Sequence, residues 1–545
     1  MFPLFYFLML PILDVATRLG VPSRYLHSYG PHMAKVHLDL LAELPPQRGK
    51  LILVTAITPT VHGEGKTVTT IGLAQALTKI GQNAVATVRQ PSLGPVFGQK
   101  GGATGGGLSQ VVPHDRINVH FTGDFHAVAA AQNTLAALLD ASIYHGNPLD
   151  LDPQTIDWPR ALDVNDRSLR EIITGLGGRI NGAPRETGFV ITAASEMMAI
   201  LGLSSSLEDL RRRLGNIIVG ATRQGRFVRA DELGITGSLV MLLADAIHPN
   251  LVQTTEGTPA LVHSGPFANI AHGTASVASL RMGMGLADYV VNETGFAADL
   301  GAEKFFDIVM PASGIRPHVA VLVASVRAVA AQSGSAEVTL DTLAAGVANL
   351  ARHVENTRSF GIPAIVAVNR FPKDDPAHLA WLVDYCRNTL QAPCALSDVY
   401  GQGGEGGREL AELVVASPGG QAQSLYEPAL PLADKIRRVA TKIYRAGEVA
   451  IAPAAARKLR KLEADGFGHL PVCIAKTQYS FSDNAKVLGA PEGFEFTVTD
   501  AYLRAGAGFV TAVAGSMSLM PGLGKTPAAL HLDVAPGGAM IGLDG

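Results

Sequence analysis

Cysteine is scarce in this sequence: the 545 residues include only three cysteines, and none are spaced as a CxxC pair. A disulfide-stabilised secreted scaffold is therefore excluded, and a reducing compartment is indicated. A surplus of charge of one sign is also absent, because 44 basic residues face 47 acidic residues for a net charge of −3. Proteins that bind nucleic acid usually show a basic surplus, so no nucleic-acid partner is expected.

Long hydrophobic runs are missing as well. The apolar run MFPLFYFLML at residues 1–10 is much shorter than the ~20 residues that a membrane-spanning helix needs. No Lys or Arg precedes this run and no clear small-residue cleavage site follows it, so an amino-terminal arm or an upstream start codon is favoured over a signal peptide. We therefore expect a cytoplasmic protein without a membrane partner.

Glycine, by contrast, is abundant. The chain has 59 glycines, and they gather in clusters typical of loops that face a ligand. With 47% hydrophobic and 17% charged residues, the composition indicates a compact enzyme and not a disordered or fibrous chain. The length of 545 residues allows roughly two to four domains.

Strands and helices alternate along much of the sequence, which predicts an α/β fold with a large parallel sheet. Strands are predicted at residues 51–55, 84–88, 117–121, 189–193, 289–291, 320–325, 364–368, 472–475, 509–514 and 530–534. Helices are predicted at residues 12–19, 33–44, 67–77, 127–140 and 206–216, around Ala328, and over most of 428–461. We expect a catalytic domain of the phosphate-loop NTPase type at residues 1–345, and two smaller α/β domains at 346–455 and 456–545.

A phosphate-binding loop is predicted between the strand at residues 51–55 and the helix that follows. Its core is Gly63-Glu64-Gly65-Lys66-Thr67, whose glycines let backbone amides face a phosphate at the positive end of a helix. Lys66 can reach the outer phosphates, and the Thr67 hydroxyl can hold Mg²⁺. The full pattern needs glycine at Thr60, so the motif is incomplete and a plain turn is the alternative. The flanking strand and helix favour an ATP site.

Further candidate site residues follow other predicted strands. Arg89 comes directly after residues 84–88, and ligands of open α/β sheets lie beyond the carboxyl ends of the strands. Its guanidinium suits a carboxylate or an acyl phosphate, and the alternative is a surface ion pair. Asp124 follows the strand predicted at 117–121 and could present a carboxylate to Mg²⁺ or water. His120 and His126 flank it, and a structural role is the alternative for each histidine.

Two further glycine-containing segments need separate interpretations. The stretch KGGATGGG at residues 100–107 is too rich in glycine for a helix or strand, and a loop closing on a ligand and a flexible hinge are equally open. Gly524-Lys525-Thr526 repeats the Gly-Lys-Thr triplet, but Pro527 and the strand predicted next leave no room for the helix of a phosphate loop. This second triplet is therefore rejected as a nucleotide site.

With these residues in view, the chain closely resembles the formate–tetrahydrofolate ligases, also called formyltetrahydrofolate synthetases, in their single-activity form. The matching stretches spread over roughly residues 30 to 530. In chain order they are LVTAITPTVHGEGKTVTTIGLAQAL, RQPSLGPVFGQKGGATGGGLSQVVP, INVHFTGDFHA, GPFANIAHG, ETGFAADLGAEKF, FGIPAIVAVNRFP, GGEGGRELA, LPVCIAKTQYSFS and MPGL.

The resemblance implies ATP-dependent ligation of formate to tetrahydrofolate. In the family, formate attacks the γ-phosphate of MgATP to give formyl phosphate. An aryl amine of the folate then attacks this mixed anhydride, which yields 10-formyltetrahydrofolate and phosphate. Activation must come first because a carboxylate is a poor electrophile until one of its oxygens becomes a leaving group. The resemblance also implies a homotetramer and leaves activation by a monovalent cation possible.

Site residues can be carried over position by position. The resemblance implies nucleotide contacts at Thr58, Gly63, Glu64, Gly65, Lys66 and Thr67, with Thr67 on Mg²⁺. It implies catalytic roles for Lys66, Arg89, His120, Asp124 and His126, with Arg89 on formyl phosphate. The glycines of residues 101–107 become an active-site loop, and Phe371 and Tyr400 sandwich the pterin ring of tetrahydrofolate.

Three positions depart from the family pattern. Tyr400 stands where tryptophan is expected, and its smaller ring should weaken the stacking without abolishing it. Gln402 stands where a charged residue is common, and Gly524 where proline is usual.

The alternative function is a nucleotide-switched phosphate-loop ATPase of the partitioning or metal-delivery type, although such chains are usually much shorter and lack the aromatic-bearing folate loops. A catalytically silent homologue is a further alternative.

Overall fold

One large, mostly parallel sheet dominates the protein, as shown by a computed structural model that describes residues 9–45, 47–60, 63–100, 102–268, 270–515 and 517–543. The strands are, in chain order, β1 (Leu26–Ser28), β2 (Ala34–Val36), β3 (Lys50–Ala56), β4 (Ala84–Val88), β5 (Gly105–Gly106), β6 (Ser109–Val112), β7 (Arg160–Leu162), β8 (Ile172–Thr174), β9 (Arg185–Thr187), β10 (Phe189–Ile191), β11 (Ile218–Ala221), β12 (Phe227–Arg229), β13 (Asn250–Thr254), β14 (Pro259–Val262), β15 (Tyr289–Glu293), β16 (Pro317–Ala324), β17 (Ala364–Asn369), β18 (Cys394–Ser397), β19 (Glu448–Ile451), β20 (Val472–Ala475), β21 (Glu495–Arg504), β22 (Phe509–Ala514), β23 (Asp533–Val534) and β24 (Met540–Ile541).

Helices follow most of these strands. They are, in chain order, α1 (Ile12–Leu19), α2 (Lys66–Lys79), α3 (Leu93–Pro95), α4 (His114–Asn118), α5 (Asp124–Tyr144), α6 (Glu196–Leu203), α7 (Leu207–Gly215), α8 (Thr236–Leu243), α9 (Val277–Leu286), α10 (Met310–Ser313), α11 (Val326–Ala331), α12 (Leu340–Gly346), α13 (Ala348–Ser359), α14 (Pro376–Asp384), α15 (Val399–Gln402), α16 (Arg408–Ala416), α17 (Leu432–Val439) and α18 (Pro453–Leu462). Short 3-10 and π-helical turns connect several of them.

The main sheet has the strand order β1-β2-β13-β14-β4-β15-β3-β16-β17-β18. From β14 to β18 every neighbouring pair is parallel, whereas β1, β2 and β13 form an antiparallel edge. The predicted α/β fold with a large parallel sheet is confirmed. Because parallel strands all end at one edge, the loops that follow β4, β15, β3, β17 and β18 lie at that same edge.

Strand β3 shows why the sheet is buried on both faces. All of its residues except Lys50 are buried. Leu51 and Leu53 point into one hydrophobic cluster, while Ile52 and Val54 point into the other. A parallel strand covered by helices on both sides needs apolar residues at consecutive positions, which is how this segment reads in the sequence.

A second, four-stranded sheet of order β19-β21-β22-β20 lies in the carboxyl-terminal part of the chain. The predicted boundary at residue 345 falls between β16 and β17, which pair through five successive residues of the main sheet. The predicted boundary at residue 455 falls after β19, which is already part of the second sheet. The division of the chain into three domains stays a prediction.

Two predicted elements near the amino terminus are wrong. Residues 33–44 do not form a helix, because Ala34–Val36 pairs as β2 with β1 and β13 and a 3-10 turn follows at Leu38–Ala42. Residues 117–121 do not form a strand: Asn118 ends α4, and Phe121 adopts a left-handed φ of 47°. In this second case Ile117 lies in helix α4 and its side chain is buried there, so its apolar character does not require a strand.

Other predictions are only partly correct. The predicted helical region 428–461 is divided by strand β19 into α17 and α18. At 530–534 only Asp533–Val534 is a strand, and the Gly524-Lys525-Thr526 triplet precedes a 3-10 turn at Ala528–Leu530 and no α-helix. The segment predicted at 189–193 is the short strand β10, which pairs with β7 outside the main sheet.

Some predictions concern residues that the structure does not describe. These are residues 1–8 of the apolar amino-terminal run, Val61 and His62 of the phosphate loop, and Gly101 of the glycine stretch. Within the described part of the chain, no helix combines the length and the apolar character that a membrane crossing requires.

Candidate active site

Three neighbouring strands bring the candidate site together. Strands β4, β15 and β3 lie side by side in that order, and all three are parallel. Arg89 follows the end of β4, Glu293 is the last residue of β15, and the predicted phosphate loop follows β3. Segments separated by about two hundred residues in sequence therefore meet at one edge of the sheet.

The predicted strand–loop–helix arrangement around the phosphate loop is confirmed. Helix α2 begins at Lys66, and Gly65 precedes it with a left-handed φ of 75°, which glycine adopts without strain. Among the described residues, no side chain caps this helix. The amides of its first turn and the positive end of its dipole therefore face the loop, which is the arrangement that binds phosphate oxygens in proteins.

Glu64 stabilises the phosphate loop through hydrogen bonds. Its buried carboxylate accepts a hydrogen bond from the Thr60 amide (2.9 Å) and another from the Ser325 hydroxyl (3.1 Å). Its carbonyl oxygen accepts a hydrogen bond of 2.9 Å from the Asn369 side chain. A Cβ atom at Gly65 would come within 2.8 Å of the same Asn369 amide. The loop is thus held against β16 and β17, and only glycine fits at position 65.

Glu293 links the phosphate loop to Arg89. The Thr67 hydroxyl donates a 2.7 Å hydrogen bond to Glu293 Oε2, while Arg89 Nε lies 3.4 Å from Glu293 Oε1. The carboxylate is almost fully buried, with 5% of its side chain exposed. Sequence reasoning did not select Glu293, although an acidic residue directly at the end of a buried strand was the available signal.

A backbone carbonyl group holds Arg89 at this edge in addition to the Glu293 carboxylate. Its Nη1 donates a 3.2 Å hydrogen bond to the Pro266 carbonyl oxygen, whereas Nη2 takes no part in the contacts with Glu293 and Pro266. The guanidinium is about one-fifth exposed, at 22% of the side chain. A planar fork with a partly accessible side suits a small oxyanion.

Asp163 anchors the loop that follows Arg89. Its carboxylate accepts hydrogen bonds from the Ser92 hydroxyl (2.7 Å) and from the Leu93 amide (2.8 Å). Burial raises the pKa of Asp163 to about 6, although both hydrogen bonds favour the charged form.

A cleft beside the phosphate loop contains both predicted aromatic residues. Phe371 follows β17, and Tyr400 lies in α15 directly after the neighbouring parallel strand β18. The cleft is lined by Gly65, Val68, Asn369, Arg370, Phe371, Ser397, Val399 and Tyr400. Arg327 stacks over the Phe371 ring at 4.8 Å, and Tyr400 is 49% exposed. The structure therefore brings the two rings and the phosphate loop into one cleft.

The described part of the glycine stretch packs on this cleft. Gly105–Gly106 forms the short strand β5, which corrects the expectation that the stretch contains no strand. The Leu108 amide donates a 2.9 Å hydrogen bond to the Tyr400 carbonyl oxygen, and the Ser109 hydroxyl donates a 2.6 Å hydrogen bond to that of Val399. The position of α15 is thus set by the glycine stretch.

Thr58 makes its hydrogen bonds within the protein. Its buried hydroxyl lies 3.0 Å from His353 Nε2 and accepts a 2.9 Å hydrogen bond from the Asn349 side chain. Burial lowers the pKa of His353 to about 4, so this histidine is neutral at physiological pH.

Asp124 is likewise surrounded by protein groups. It is the first residue of α5 and is buried, and its two carboxylate oxygens contact Lys35 Nζ and Asn250 Nδ2, each at 2.7 Å. His120 and His126, by contrast, are exposed on either side of it. The structure thus places Asp124 in a buried ion pair, and it leaves the two histidines at the surface.

The described residues contain no cluster of three or more His, Cys, Asp or Glu side chains that could bind a metal by themselves. The hydroxyl of Thr67 and the carboxylate of Glu293 nevertheless place two oxygen ligands side by side. Mg²⁺ binds oxygen and usually takes only one or two protein ligands, completing its shell with water and substrate phosphates. This pair fits such a site.

Comparisons with known proteins give one family over nearly the whole chain. The family model for formate–tetrahydrofolate ligase matches residues 7–544. The formate–tetrahydrofolate ligase of Granulibacter bethesdensis is 52% identical over 98% of this chain and 95% of its own length. Those of Pseudothermotoga lettingae and Thermotoga maritima are 49% and 50% identical over 98% of this chain, and cover 97% and 100% of their own lengths.

Proposed function

Because the chain belongs to the formate–tetrahydrofolate ligase family, we propose that it joins formate to tetrahydrofolate, with ATP as the source of energy. The products are 10-formyltetrahydrofolate, ADP and phosphate. The observation that carries this proposal is the Thr67–Glu293–Arg89 chain of contacts, in which a phosphate-loop hydroxyl and a carboxylate-binding guanidinium share one buried acid.

The phosphates of ATP would lie on the uncapped start of α2, with the Lys66 side chain next to them and the sheet arranged as in phosphate-loop NTPases. Thr67 and Glu293 would hold Mg²⁺, whose charge offsets that of the phosphates when it is bound. Arg89 would orient formate through its guanidinium so that one formate oxygen faces the γ-phosphorus.

Two bond exchanges complete the reaction. The formate oxygen forms a bond to the γ-phosphorus as the bond to ADP breaks, which gives formyl phosphate. The folate amine then attacks the formyl carbon, and the carbon–oxygen bond to phosphate breaks as the amine loses its proton. The protein contributes mainly position and charge, as in other phosphoryl transfers.

Tetrahydrofolate would bind in the cleft between Phe371 and Tyr400, with its pterin ring against the aromatic faces. The cleft adjoins Gly65, so the folate amine would reach formyl phosphate without leaving the site. The family resemblance further supports a cytoplasmic homotetramer and activation by a monovalent cation, which gel filtration and a cation series in the assay would test.

An omission assay tests the proposal. ADP formation is measured with ATP, formate and tetrahydrofolate together and with each omitted in turn, and we expect rapid ADP formation only in the complete mixture. ADP released equally without formate and tetrahydrofolate would favour the nucleotide-switched ATPase, and no ADP under any condition would favour a silent homologue.

A matched pair of variants tests the phosphate loop. Lys66→Ala should abolish formate-dependent ADP formation, because the charge next to the outer phosphates is lost. Lys525→Ala alters the other Gly-Lys-Thr triplet, whose lysine is exposed, and should leave the rate unchanged. Equal rates in the two variants would remove Lys66 from the mechanism.

A further inference from the structure

Asn369 lies between the phosphate loop and the cleft that contains the two aromatic residues. It is the last residue of β17 and is buried. It also lines the cleft, together with Gly65 and Phe371. The reaction steps proposed above give Asn369 no role, although it touches both halves of the site.

The side-chain amide of Asn369 holds two parts of the nucleotide site at once. Its Nδ2 donates a 2.9 Å hydrogen bond to the Glu64 carbonyl oxygen, in the phosphate loop. Its Oδ1 accepts a 3.1 Å hydrogen bond from the Thr69 hydroxyl, in the first turn of α2. One planar group therefore connects the loop to the start of the helix, where the phosphates of ATP would lie.

The backbone of Asn369 leads directly to the first aromatic wall of the cleft. Phe371 is two residues further on, and its amide donates a 2.8 Å hydrogen bond to the buried Asp374 carboxylate. Arg327 stacks over the Phe371 ring at 4.8 Å, and its Nε lies 3.3 Å from Asp374 Oδ1. Because these contacts fix the ring to its own backbone, a displacement of Asn369 also displaces the ring.

Helix α2 itself packs against the second aromatic wall. A Cβ atom at Gly72 would lie only 2.3 Å from Val399 Cβ, so α2 and the start of α15 are in very close contact. Tyr400 is the next residue of α15. Val68, in the first turn of α2, lines the cleft directly. Interiors packed this closely transmit small displacements, so the position of α2 affects both walls of the cleft.

We propose, on the basis of the ligase function proposed above, that Asn369 is a positioning residue that couples the nucleotide site to the folate cleft. ATP bound at the helix start fixes the positions of Glu64 and α2, and the Asn369 amide passes this position to β17 and the Phe371 ring. The bound nucleotide thus preorganises the cleft for the pterin ring. This serves the reaction, because the folate amine must meet formyl phosphate in a defined geometry.

Isothermal titration calorimetry of the full-length protein tests this coupling. The dissociation constant of tetrahydrofolate is measured in Mg²⁺ with and without saturating AMP-PNP, an ATP analogue that does not transfer its γ-phosphate. We expect the nucleotide to tighten tetrahydrofolate binding about 10-fold in the unaltered protein. The reverse titration, of AMP-PNP with and without tetrahydrofolate, should give the same factor because linkage is reciprocal.

Asn369→Ala removes both hydrogen bonds of the amide. The coupling factor should fall from about 10 to about 2 or less, while each ligand alone binds within about threefold of its affinity for the unaltered protein. A residue that served only one of the two sites would instead weaken one ligand and leave the coupling factor unchanged.

Thr69→Val is a second variant that keeps the shape of the side chain, and it applies even if Asn369→Ala does not fold. It removes only the hydroxyl that donates to Asn369 Oδ1, and the factor should fall to about 3. Thr78→Val is the matched control on the same helix. The exposed Thr78 hydroxyl donates to the Ala74 carbonyl oxygen, and the full factor should remain.

Two results would overturn the coupling role of Asn369 alone. One is a factor of about 1 in the unaltered protein, and the other is the same factor in Thr69→Val and Thr78→Val. Both results leave the ligase proposal standing, because AMP-PNP and tetrahydrofolate still bind. If neither ligand bound the unaltered protein, the ligase proposal would fail and the coupling with it.

Discussion

Glu293 is the residue through which the phosphate loop and Arg89 are connected. Its carboxylate contacts the Thr67 hydroxyl and the Arg89 guanidinium from the end of β15. In the proposed reaction, this carboxylate would orient the arginine and offer an oxygen to Mg²⁺.

Glu293→Gln should therefore lower formate-dependent ADP formation by about 100-fold or more, because the charge that both partners need is lost while the shape is kept. The rate is measured at saturating substrates, and circular dichroism confirms folding. Glu409→Gln, at an exposed glutamate paired with Arg387, is the control and should keep the full rate. A Glu293→Gln variant as active as this control would exclude Glu293 from the site.

Glu196 gives a pH-dependent prediction at the same scale. It begins α6, and its buried Oε1 accepts hydrogen bonds from the amides of Gly506 (2.8 Å) and Ala507 (3.3 Å). Burial raises the pKa of Glu196 from 4.5 to about 7, although Arg504 opposes the shift. Between pH 4.5 and about pH 7, Glu196 is protonated to a greater extent in the folded state than in the unfolded state. Its contribution to stability therefore falls as the pH rises through this range.

Glu196→Gln should remove that loss, because the neutral amide oxygen can still accept both hydrogen bonds. The variant should gain stability relative to the unaltered protein as pH rises. Its free energy of unfolding minus that of the unaltered protein should be about 1–3 kcal/mol larger at about pH 8 than at about pH 5. Urea unfolding at the two pH values measures the difference. A difference that does not change with pH would show that Glu196 does not titrate in this window.

Single residues also show what the sequence could predict. Arg89 was identified correctly as lying at the sheet edge, because it directly follows a strongly apolar strand. The contacts of Asp124 with Lys35 and Asn250 could not be predicted, since they join residues about one hundred positions apart. Such partners decide whether a carboxylate faces a ligand or forms an internal ion pair.

At the scale of elements, the local sequence pattern predicted the positions of β3, α2 and β4 closely, but it did not predict which strands lie next to them in the sheet. Strand β15 inserts between β4 and β3, although it is about two hundred residues away from both in sequence. Local periodicity carries no information on strand order, so the contact between Glu293 and Thr67 was not predictable. The wrong helix at residues 33–44 has the same cause, because pairing with β13 overrides local preference there.

The packing of the glycine stretch on α15 leads to a further prediction. Gly107 has a left-handed φ of 57°, and a Cβ atom at this position would lie 2.2 Å from the Tyr400 carbonyl oxygen. Gly107→Ala should displace α15 and raise the Michaelis constant for tetrahydrofolate about 10-fold, with a smaller effect on that for ATP.

Steady-state kinetics with each substrate varied in turn measures both constants. Gly237→Ala is the control, because a Cβ atom there meets nothing within 4 Å and the backbone is in a region open to all residues. If Gly107→Ala leaves the constant for tetrahydrofolate unchanged, the glycine stretch does not set the position of Tyr400.

At the scale of the whole molecule, a buried ion pair connects the two sheets. Lys476 follows β20 of the second sheet, and its Nζ lies 2.8 Å from Asp299 Oδ2, in the π-helical turn Ala298–Ala302 beyond β15. Both side chains are at least 98% buried. Burial also raises the pKa of the nearby Glu303 above its ordinary value.

Lys476→Met should destabilise the protein by about 3–5 kcal/mol, because Asp299 is left buried without its cation. Lys458→Met breaks the exposed pair with Asp500 and should cost about 1 kcal/mol or less. The urea midpoints of the two variants give the comparison, and similar midpoints would show that the buried pair does not hold the sheets together.

The central claim is that one oxygen of formate attacks the γ-phosphorus of ATP at the edge formed by β4, β15 and β3. Formate labelled with ¹⁸O tests it most directly, with the phosphate product analysed by mass spectrometry. We predict that each phosphate formed carries one labelled oxygen, because the formate oxygen stays on phosphorus when the amine displaces phosphate. Phosphate without label, formed together with 10-formyltetrahydrofolate, would contradict the claim.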